Sequence, residues 1–101
     1  MGNSLSQIVI MNVYKREKEG KYLKKLIDIS AKPHGIPVQI SMDDGSLGVW
    51  KNFAQCLTMP SEIEGTHRMV VQDDISFDRN ILDKILYIMK FAPRDAFIVY
   101  I

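Results

Sequence analysis

Four short apolar segments alternate with three amphipathic ones along the chain, and this order restricts the fold more than any other property of the sequence. The apolar segments have the length of buried strands, and in the amphipathic segments apolar residues recur at the spacing of one helix face. Turn-forming residues separate the segments, for example at residues 33–35 and 43–46. We therefore predict strands at residues 5–13, 36–42, 66–72 and 95–101, and helices at residues 15–32, at residues 47–57 and after Asp78.

This order of elements indicates an α/β fold. Connections of this length join parallel strands by right-handed crossovers, which place helices against the faces of the sheet. A chain of 101 residues has room for one such domain. We expect a single three-layer α/β/α domain over residues 1–101, with a mainly parallel sheet of about four strands. If the second and third strands flank the first, a crevice opens at their carboxyl ends, where the loops at 13–16, 43–46 and 72–76 converge.

Charge and cysteine content exclude several classes of protein. Thirteen Lys and Arg residues against twelve Asp and Glu leave a formal charge of +1, so we expect no nucleic-acid partner. No apolar segment approaches the ~20 residues of a membrane-spanning helix, and the amino terminus lacks the pattern of a signal peptide. The single Cys56 cannot form an internal disulfide bond, which suits a reducing compartment, and we expect a cytoplasmic protein.

The second amphipathic segment carries Trp50, Phe53 and Leu57 at helical spacing, and we expect these residues to lie in the core. Cys56 lies beside them and is expected to be a small buried residue rather than a nucleophile, since no basic partner is placed to lower the pKa of its thiol. We expect Ser46 to cap this helix and Asp78 to cap the third.

Two Asp-Asp pairs each follow a predicted strand directly, Asp43-Asp44 after the second and Asp73-Asp74 after the third. In a parallel sheet, as many as four carboxylates would then gather at one edge, where like charges raise one another's pKa unless something neutralises them. Mg²⁺ and Mn²⁺ prefer oxygen ligands and often share one or two carboxylates with substrate phosphates. The alternative is that these residues, together with Ser76, only cap helices through backbone N–H groups.

Three sequence motifs resemble, in the correct order, those of the inverting glycosyltransferases with the GT-A fold, family 2-like. The first is IVIMNVYKR at residues 8–16 followed by YLKKLI at 22–27, the second is DDGS at 43–46, and the third is THRMVVQDDISF at 66–77, with a DXD-like acidic pair. The resemblance covers the nucleotide-sugar-binding, amino-terminal half of that family. It implies an abridged GT-A fold, which is a Rossmann-like half.

The resemblance also implies a function and a set of site residues. The chain would bind a nucleotide-diphospho-sugar with a divalent cation, Mn²⁺ or Mg²⁺, and transfer the sugar to an acceptor hydroxyl with inversion. Position by position, it implies that Val13, Tyr14 and Arg16 border the nucleotide, that Asp43 or Asp44 contacts the base, that Asp73 holds the ribose and that Asp74 binds the metal.

The chain departs from the family in two places. Only one helix lies between Ser46 and Thr66, where the family has a helix, a strand and another helix. The acceptor-binding half and the catalytic Asp of the family follow the second acidic motif and have no counterpart in this sequence, so no catalytic residue is assigned. We therefore expect an incomplete glycosyltransferase or one that needs a partner, and the alternative is a small non-catalytic α/β module for protein interaction. The strand at 95–101 would offer an apolar edge to a second copy or to a protein partner.

Overall fold

The computed structural model of the chain describes residues 3–93. The elements are β1 (Leu5–Val13), α1 (Glu17–Ala31), β2 (Val38–Asp43), α2 (Val49–Thr58), β3 (His67–Gln72) and α3 (Arg79–Met89). Single 3-10 turns precede and follow α1, at Tyr14–Arg16 and Lys32–His34. Every strand and helix predicted within the described residues is present, and the predicted strand at 95–101 lies outside them. None of the described helices combines the length and the apolar character that crossing a bilayer requires.

The three described strands form one parallel sheet with the order β2-β1-β3. Val13 at the end of β1 pairs with Asp43 of β2, and Met11 pairs with Gln72 of β3. This confirms an α/β fold with a parallel sheet, and it places β2 and β3 on opposite sides of β1 as the crevice requires. The described sheet has three strands, one fewer than the four expected for the whole chain.

One face of the sheet carries the apolar core. Side chains alternate between the two faces of a strand, so Ile8 and Ile10 of β1 share a face. They belong to one buried cluster with Leu23 and Ile27 of α1 and with Leu82 and Met89 of α3. Helices α1 and α3 therefore lie side by side on this face. Most of the predicted apolar positions meet the sheet there, whereas Tyr22 and Ile29 of α1 and Ile88 of α3 are exposed.

The other face of the sheet carries buried polar side chains beside Val9, and α2 packs against it. Gln7, Ser41 and Arg68 lie on this face, since they alternate with the core-facing residues of their strands. Helix α2 buries its own polar side: Asn52 accepts a 2.6 Å hydrogen bond from Ser41 Oγ and donates one of 3.1 Å to the carbonyl of Asn12. Gln7 Nε2 donates to the Met59 carbonyl at 2.7 Å, just beyond the end of the helix. Side-chain hydrogen bonds thus hold α2 to the sheet.

This arrangement overturns the prediction that Trp50, Phe53 and Leu57 lie in the core. Their residue surfaces are 82%, 38% and 51% exposed, whereas Asn52 and Cys56 are buried. The physical reason is the group of buried polar atoms beneath α2, among them Ser41 Oγ and the carbonyl of Asn12. Buried polar groups need partners, so the helix turns the side that carries Asn52 toward the sheet and leaves its apolar side uncovered.

Of the two predicted helix caps, one is present in the structure. The Asp78 carboxylate accepts a 2.9 Å hydrogen bond from Asn80 N–H at the start of α3, as predicted. Helix α2 instead begins after Gly48 without a side-chain cap, so the prediction for Ser46 is wrong. Ser46 donates both its N–H and its hydroxyl to Asp44, because the loop at 43–48 folds around the two aspartates and not around the helix start.

Candidate functional site

Both acidic pairs lie at the carboxyl edge of the sheet, one on each side of β1. Asp43 is the last residue of β2 and pairs with Val13, and Asp73 follows the last residue of β3. The N–H of Val13 points to Asp73 Oδ2 at 3.3 Å. The sheet therefore brings the end of β1, both acidic pairs and the Tyr14–Arg16 turn to one place, as the sequence predicts.

Asp73 fixes the turn that follows β1. Its Oδ2 accepts a 2.7 Å hydrogen bond from Asn12 Nδ2, in addition to the one from Val13 N–H. Its Oδ1 lies 3.0 Å from Arg16 Nε in an ion pair, although the Nε–H does not point at the oxygen. Only 10% of the Asp73 side chain is exposed, and a buried carboxylate needs such compensation. Asp73 thus joins β3 to the beginning of α1, and its contact with a ribose stays a prediction.

Asn12 is the residue that sequence analysis missed. It is fully buried, and its side-chain amide donates to both Asp73 and the carbonyl of Arg16, the latter at 2.9 Å. Its Oδ1 has no hydrogen-bond partner in the described part of the chain. Gly20 of α1 packs so closely that a Cβ at this position would come within 2.4 Å of Asn12 Cγ and Oδ1. The sequence signal that could have identified Asn12 is its position as a polar residue near the carboxyl end of an otherwise apolar strand.

The two aspartates after β2 differ in how much of their carboxylates is accessible. Asp43 is buried, and both of its oxygens accept backbone hydrogen bonds, from Gly45 and Leu47 to Oδ1 and from Gly48 to Oδ2, at 2.8–3.1 Å. Asp44 is exposed and accepts bonds from Ser46 through Oδ1. The hydroxyl of Ser46, followed by its N–H, holds the pKa of Asp44 below its ordinary value. Of the two residues expected to contact a base, Asp44 is the one with an accessible carboxylate.

Asp74 and Tyr14 are the exposed members of the site. Asp74 follows Asp73 directly, is exposed, and makes no hydrogen bond or ion pair with any described residue. Tyr14 is 67% exposed on the turn that Asp73 holds. Within residues 3–93, no group of three or more His, Cys, Asp and Glu side chains is arranged to hold a metal ion. The acidic pairs therefore share an edge without forming one ligand cluster, since Asp43 and Asp73 turn their carboxylates into the protein.

Cys56 belongs to the polar interior beneath α2 and not to this edge. Burial raises the pKa of its thiol, and the neighbouring Ser41 and Arg68 only partly oppose that shift. Arg68 is held there by a 2.6 Å bond from its guanidinium to the carbonyl of Cys56. Cys56 is fully buried, as expected, but Arg68 is a basic neighbour that the sequence did not place beside it.

Comparison with known proteins adds no family to these observations. No protein-family model, no curated protein and no solved structure matches the chain.

Proposed function

We propose that the chain is the sugar-nucleotide-binding half of a glycosyltransferase-like protein. It binds a nucleotide-diphospho-sugar and a divalent cation, Mn²⁺ or Mg²⁺, at the edge where β1 and β3 end. This proposal rests on the resemblance of the three sequence motifs to the inverting GT-A-fold glycosyltransferases and on the geometry of that edge. The parallel order β2-β1-β3 supports it, because open α/β sheets bind ligands where neighbouring connections leave in opposite directions.

The observation that carries the proposal is that Asp73 and Asp74 differ in burial and in their contacts. Asp73 is almost buried and holds the Tyr14–Arg16 turn in place, whereas Asp74 presents an exposed carboxylate without a protein partner. A carboxylate that serves only as a helix cap would accept a backbone N–H, as Asp78 does at the start of α3. Asp74 accepts none in the described structure, which argues against a role in capping and leaves its carboxylate accessible to a ligand.

The residues present fit a cation that is shared with a diphosphate. Asp74 supplies one carboxylate, and Mg²⁺ and Mn²⁺ are commonly held by one or two carboxylates together with substrate phosphates and waters. When bound, the cation supplies positive charge for the diphosphate leaving group. Asp44 follows β2 on the other side of β1, and Tyr14 follows β1 itself. Both residues are exposed and are therefore available to the nucleoside. Cation and diphosphate should therefore bind together, and neither should bind well alone.

We assign no base for an acceptor hydroxyl among the described residues. General base catalysis needs a group within hydrogen-bond reach of the reacting proton. Asp78 caps α3, and Asp83 pairs with His34 Nε2 at 3.1 Å, so both carboxylates on this helix are already engaged.

Thermal unfolding tests the proposal. The full chain is heated with Mn²⁺ alone, with a panel of nucleoside diphosphates and sugar nucleotides alone, and with both together. A ligand at 100 times its Kd adds about 2.7 kcal/mol, or about 10 °C or more for a domain of this size. We expect this rise only with cation and nucleotide together, and selectively for one base.

Two variants make the test specific to Asp74. Asp74→Asn removes the exposed charge at the carboxyl edge and should abolish the joint rise while the melting temperature without ligand stays unchanged. Glu62→Gln removes an equally exposed charge in the loop before β3, at the opposite edge, and should leave the rise intact. A joint rise that survives Asp74→Asn would refute the metal assignment. The absence of any rise in the unmodified chain would refute the proposed function and favour the interaction module.

A further inference from the structure

The side of α1 that points away from the sheet carries exposed lysines and exposed apolar residues in alternation. Leu23 and Ile27 are among the residues of α1 that enter the core. At about 100° per residue, the positions on the opposite side follow one another at intervals of three and four residues. We call them the outer stripe of α1; they are Lys18, Tyr22, Lys25, Ile29 and Lys32. Lys32 directly follows the helix and continues its turn, since its N–H bonds to the carbonyl of Asp28.

Helix α3 has an outer side of the same character. Leu82 and Met89 enter the core, and the positions on the opposite side, which we call the outer stripe of α3, are Lys84, Tyr87, Ile88 and Phe91. Phe91 lies just beyond the helix, where its N–H bonds to the Ile88 carbonyl at 3.1 Å. Its ring meets that of Tyr87 edge to face, with the centroids 5.3 Å apart. The five apolar residues of the two outer stripes are between 52% and 74% exposed.

The two outer stripes form one broad surface. Helices α1 and α3 contact each other on the same face of the sheet, and packed helices lie about 8–10 Å apart. His34 Nε2, in the turn that follows α1, lies 3.1 Å from Asp83 Oδ1 of α3 and joins the two helices. Because both helices rest on one sheet, their outer stripes lie at a similar height above it. We call this surface the outer face of the α1–α3 layer.

The outer face of the α1–α3 layer carries positive charge. Residues 15–32 contain seven Lys and Arg against three Asp and Glu. Two of the acidic residues, Glu17 and Asp28, each pair with a lysine of α1 at 2.8 Å, and the third, Glu19, lies about a quarter turn from the outer stripe. The lysines of the outer stripe of α1 form no ion pair with any described residue. They follow one another every seven residues, or about 10 Å, so the stripe presents three unpaired charges in a row.

A partner that fits this face is anionic and also accepts isolated apolar side chains. Tyr22 and Ile29 lie about 10 Å apart with Lys25 between them, so α1 offers no continuous apolar patch to a protein partner. Nucleic acid supplies phosphates for the lysines but no apolar environment for Ile29 or Ile88. At the surface of an anionic bilayer, apolar side chains enter the interface one by one while lysines extend to the lipid phosphates. Tyrosine side chains are favoured in the same interface.

We propose that the outer face of the α1–α3 layer docks on an anionic lipid surface. Docking of this kind requires no membrane-spanning segment, because the helices lie on the bilayer. Electrostatic attraction supplies about fivefold in affinity for each lysine near the bilayer, and the apolar side chains add to it. The proposal is independent of nucleotide binding, since the candidate site lies at the carboxyl edge of the sheet and this face lies on the side of the helices remote from the sheet.

Co-sedimentation of the full chain with lipid vesicles tests the proposal. We expect binding to vesicles that contain phosphatidylserine in phosphatidylcholine, weakening as the salt concentration rises, and little binding to phosphatidylcholine alone. Replacing Lys18, Lys25 and Lys32 together by Gln should weaken binding about 100-fold. The fold should stay intact, because these side chains are exposed. Replacing Tyr22 and Ile29 together by Ser should reduce the binding that remains at high salt.

The matched control compares two charge reversals. Lys25→Glu and Lys51→Glu give the chain the same net charge, but Lys51 is exposed on α2, which packs on the other face of the sheet. The first variant should weaken vesicle binding about 20-fold, and the second should not weaken it. Trp50, the single tryptophan of the chain, lies beside Lys51 and should keep the emission of a water-exposed indole when vesicles are added.

Three results would overturn the proposal. They are the absence of binding to phosphatidylserine vesicles, equal effects of the two charge reversals, and a blue shift of the Trp50 emission on binding. The last result would place α2 on the bilayer in place of α1 and α3. If the chain ignores vesicles but captures an acidic peptide or a nucleic acid, and the three Gln substitutions abolish that capture, the face belongs to that partner and the assignment to lipid is wrong.

Discussion

Substituting Gly20 by Ala tests the buried contact on which the candidate site depends. A Cβ at Gly20 would lie 2.4 Å from Asn12 Cγ and Oδ1 and 2.6 Å from Nδ2, against an ordinary contact of 3.4–4 Å. Asn12 must then move, and it is the residue whose amide donates to Asp73 at 2.7 Å. We expect Gly20→Ala to destabilise the fold and to loosen the turn that carries Arg16.

The change in the free energy of unfolding follows from two costs and one gain. Overpacking costs about 1–3 kcal/mol, and loss of a hydrogen bond to the nearly buried Asp73 carboxylate costs about 1.5–3 kcal/mol. Alanine regains about 1 kcal/mol over glycine inside a helix. The free energy of unfolding should fall by about 1.5–5 kcal/mol, which at an m value of about 2 kcal/mol/M lowers the midpoint of urea unfolding by about 1–2.5 M.

A double-mutant cycle with Asn12→Ala separates the clash from the helix propensity. Without the Asn12 side chain, the new methyl group has room, and Gly20→Ala should be neutral or stabilising by up to about 1 kcal/mol. Urea unfolding followed by far-ultraviolet circular dichroism gives all four free energies. An interaction energy of at least about 2 kcal/mol is expected between the two positions. Equal effects of Gly20→Ala in the presence and absence of Asn12 would refute the contact.

Two further predictions concern the loop after β2. Asp43→Ala removes the acceptor of three backbone N–H groups and should lower the free energy of unfolding by about 2–3 kcal/mol. Asp44→Ala at the exposed neighbour should have a much smaller effect, and urea unfolding measures both. The Asp44 carboxyl should titrate below its ordinary pKa in carbon-detected NMR, and Ser46→Ala should raise that pKa toward the ordinary value. Because the folded pKa is depressed, the stabilisation by this contact is present above the unfolded pKa and is lost as the pH falls through the folded one. An Asp44 pKa that Ser46→Ala leaves unchanged would contradict this assignment.

The order and type of the elements could be predicted from local sequence because local physics dictates them. Apolar runs without helical spacing became β1, β2 and β3, and the amphipathic segments became helices with ends within a few residues of those predicted. The parallel pairing followed from connection length alone. The acidic pairs came to one edge for the same reason, since parallel strands end on the same side.

The roles of individual aspartates could not be predicted in this way. Asp43 and Asp73 look equivalent to Asp44 and Asp74 in the sequence, yet both of the former turn inward. Asp43 accepts hydrogen bonds from the backbone of its own loop, and Asp73 accepts them from Asn12 and Val13, which only folding brings close. The donor that orients Asp73 comes from Asn12, sixty-one positions earlier. A sequence pattern identifies carboxylates at a strand end, and only their surroundings decide which one remains available to a ligand.

The sequence by itself determined that this chain is an α/β domain with its acidic pairs at the carboxyl edge of a parallel sheet, because periodicity and connection length act locally and along the chain. Only the tertiary structure decided which side of α2 meets the sheet. Periodicity finds the apolar stripe of Trp50, Phe53 and Leu57, and it contains no information on the polar surface that the helix will cover. Ser41 and the carbonyl of Asn12 needed partners in the interior, Asn52 supplied them, and the apolar stripe was left facing outward.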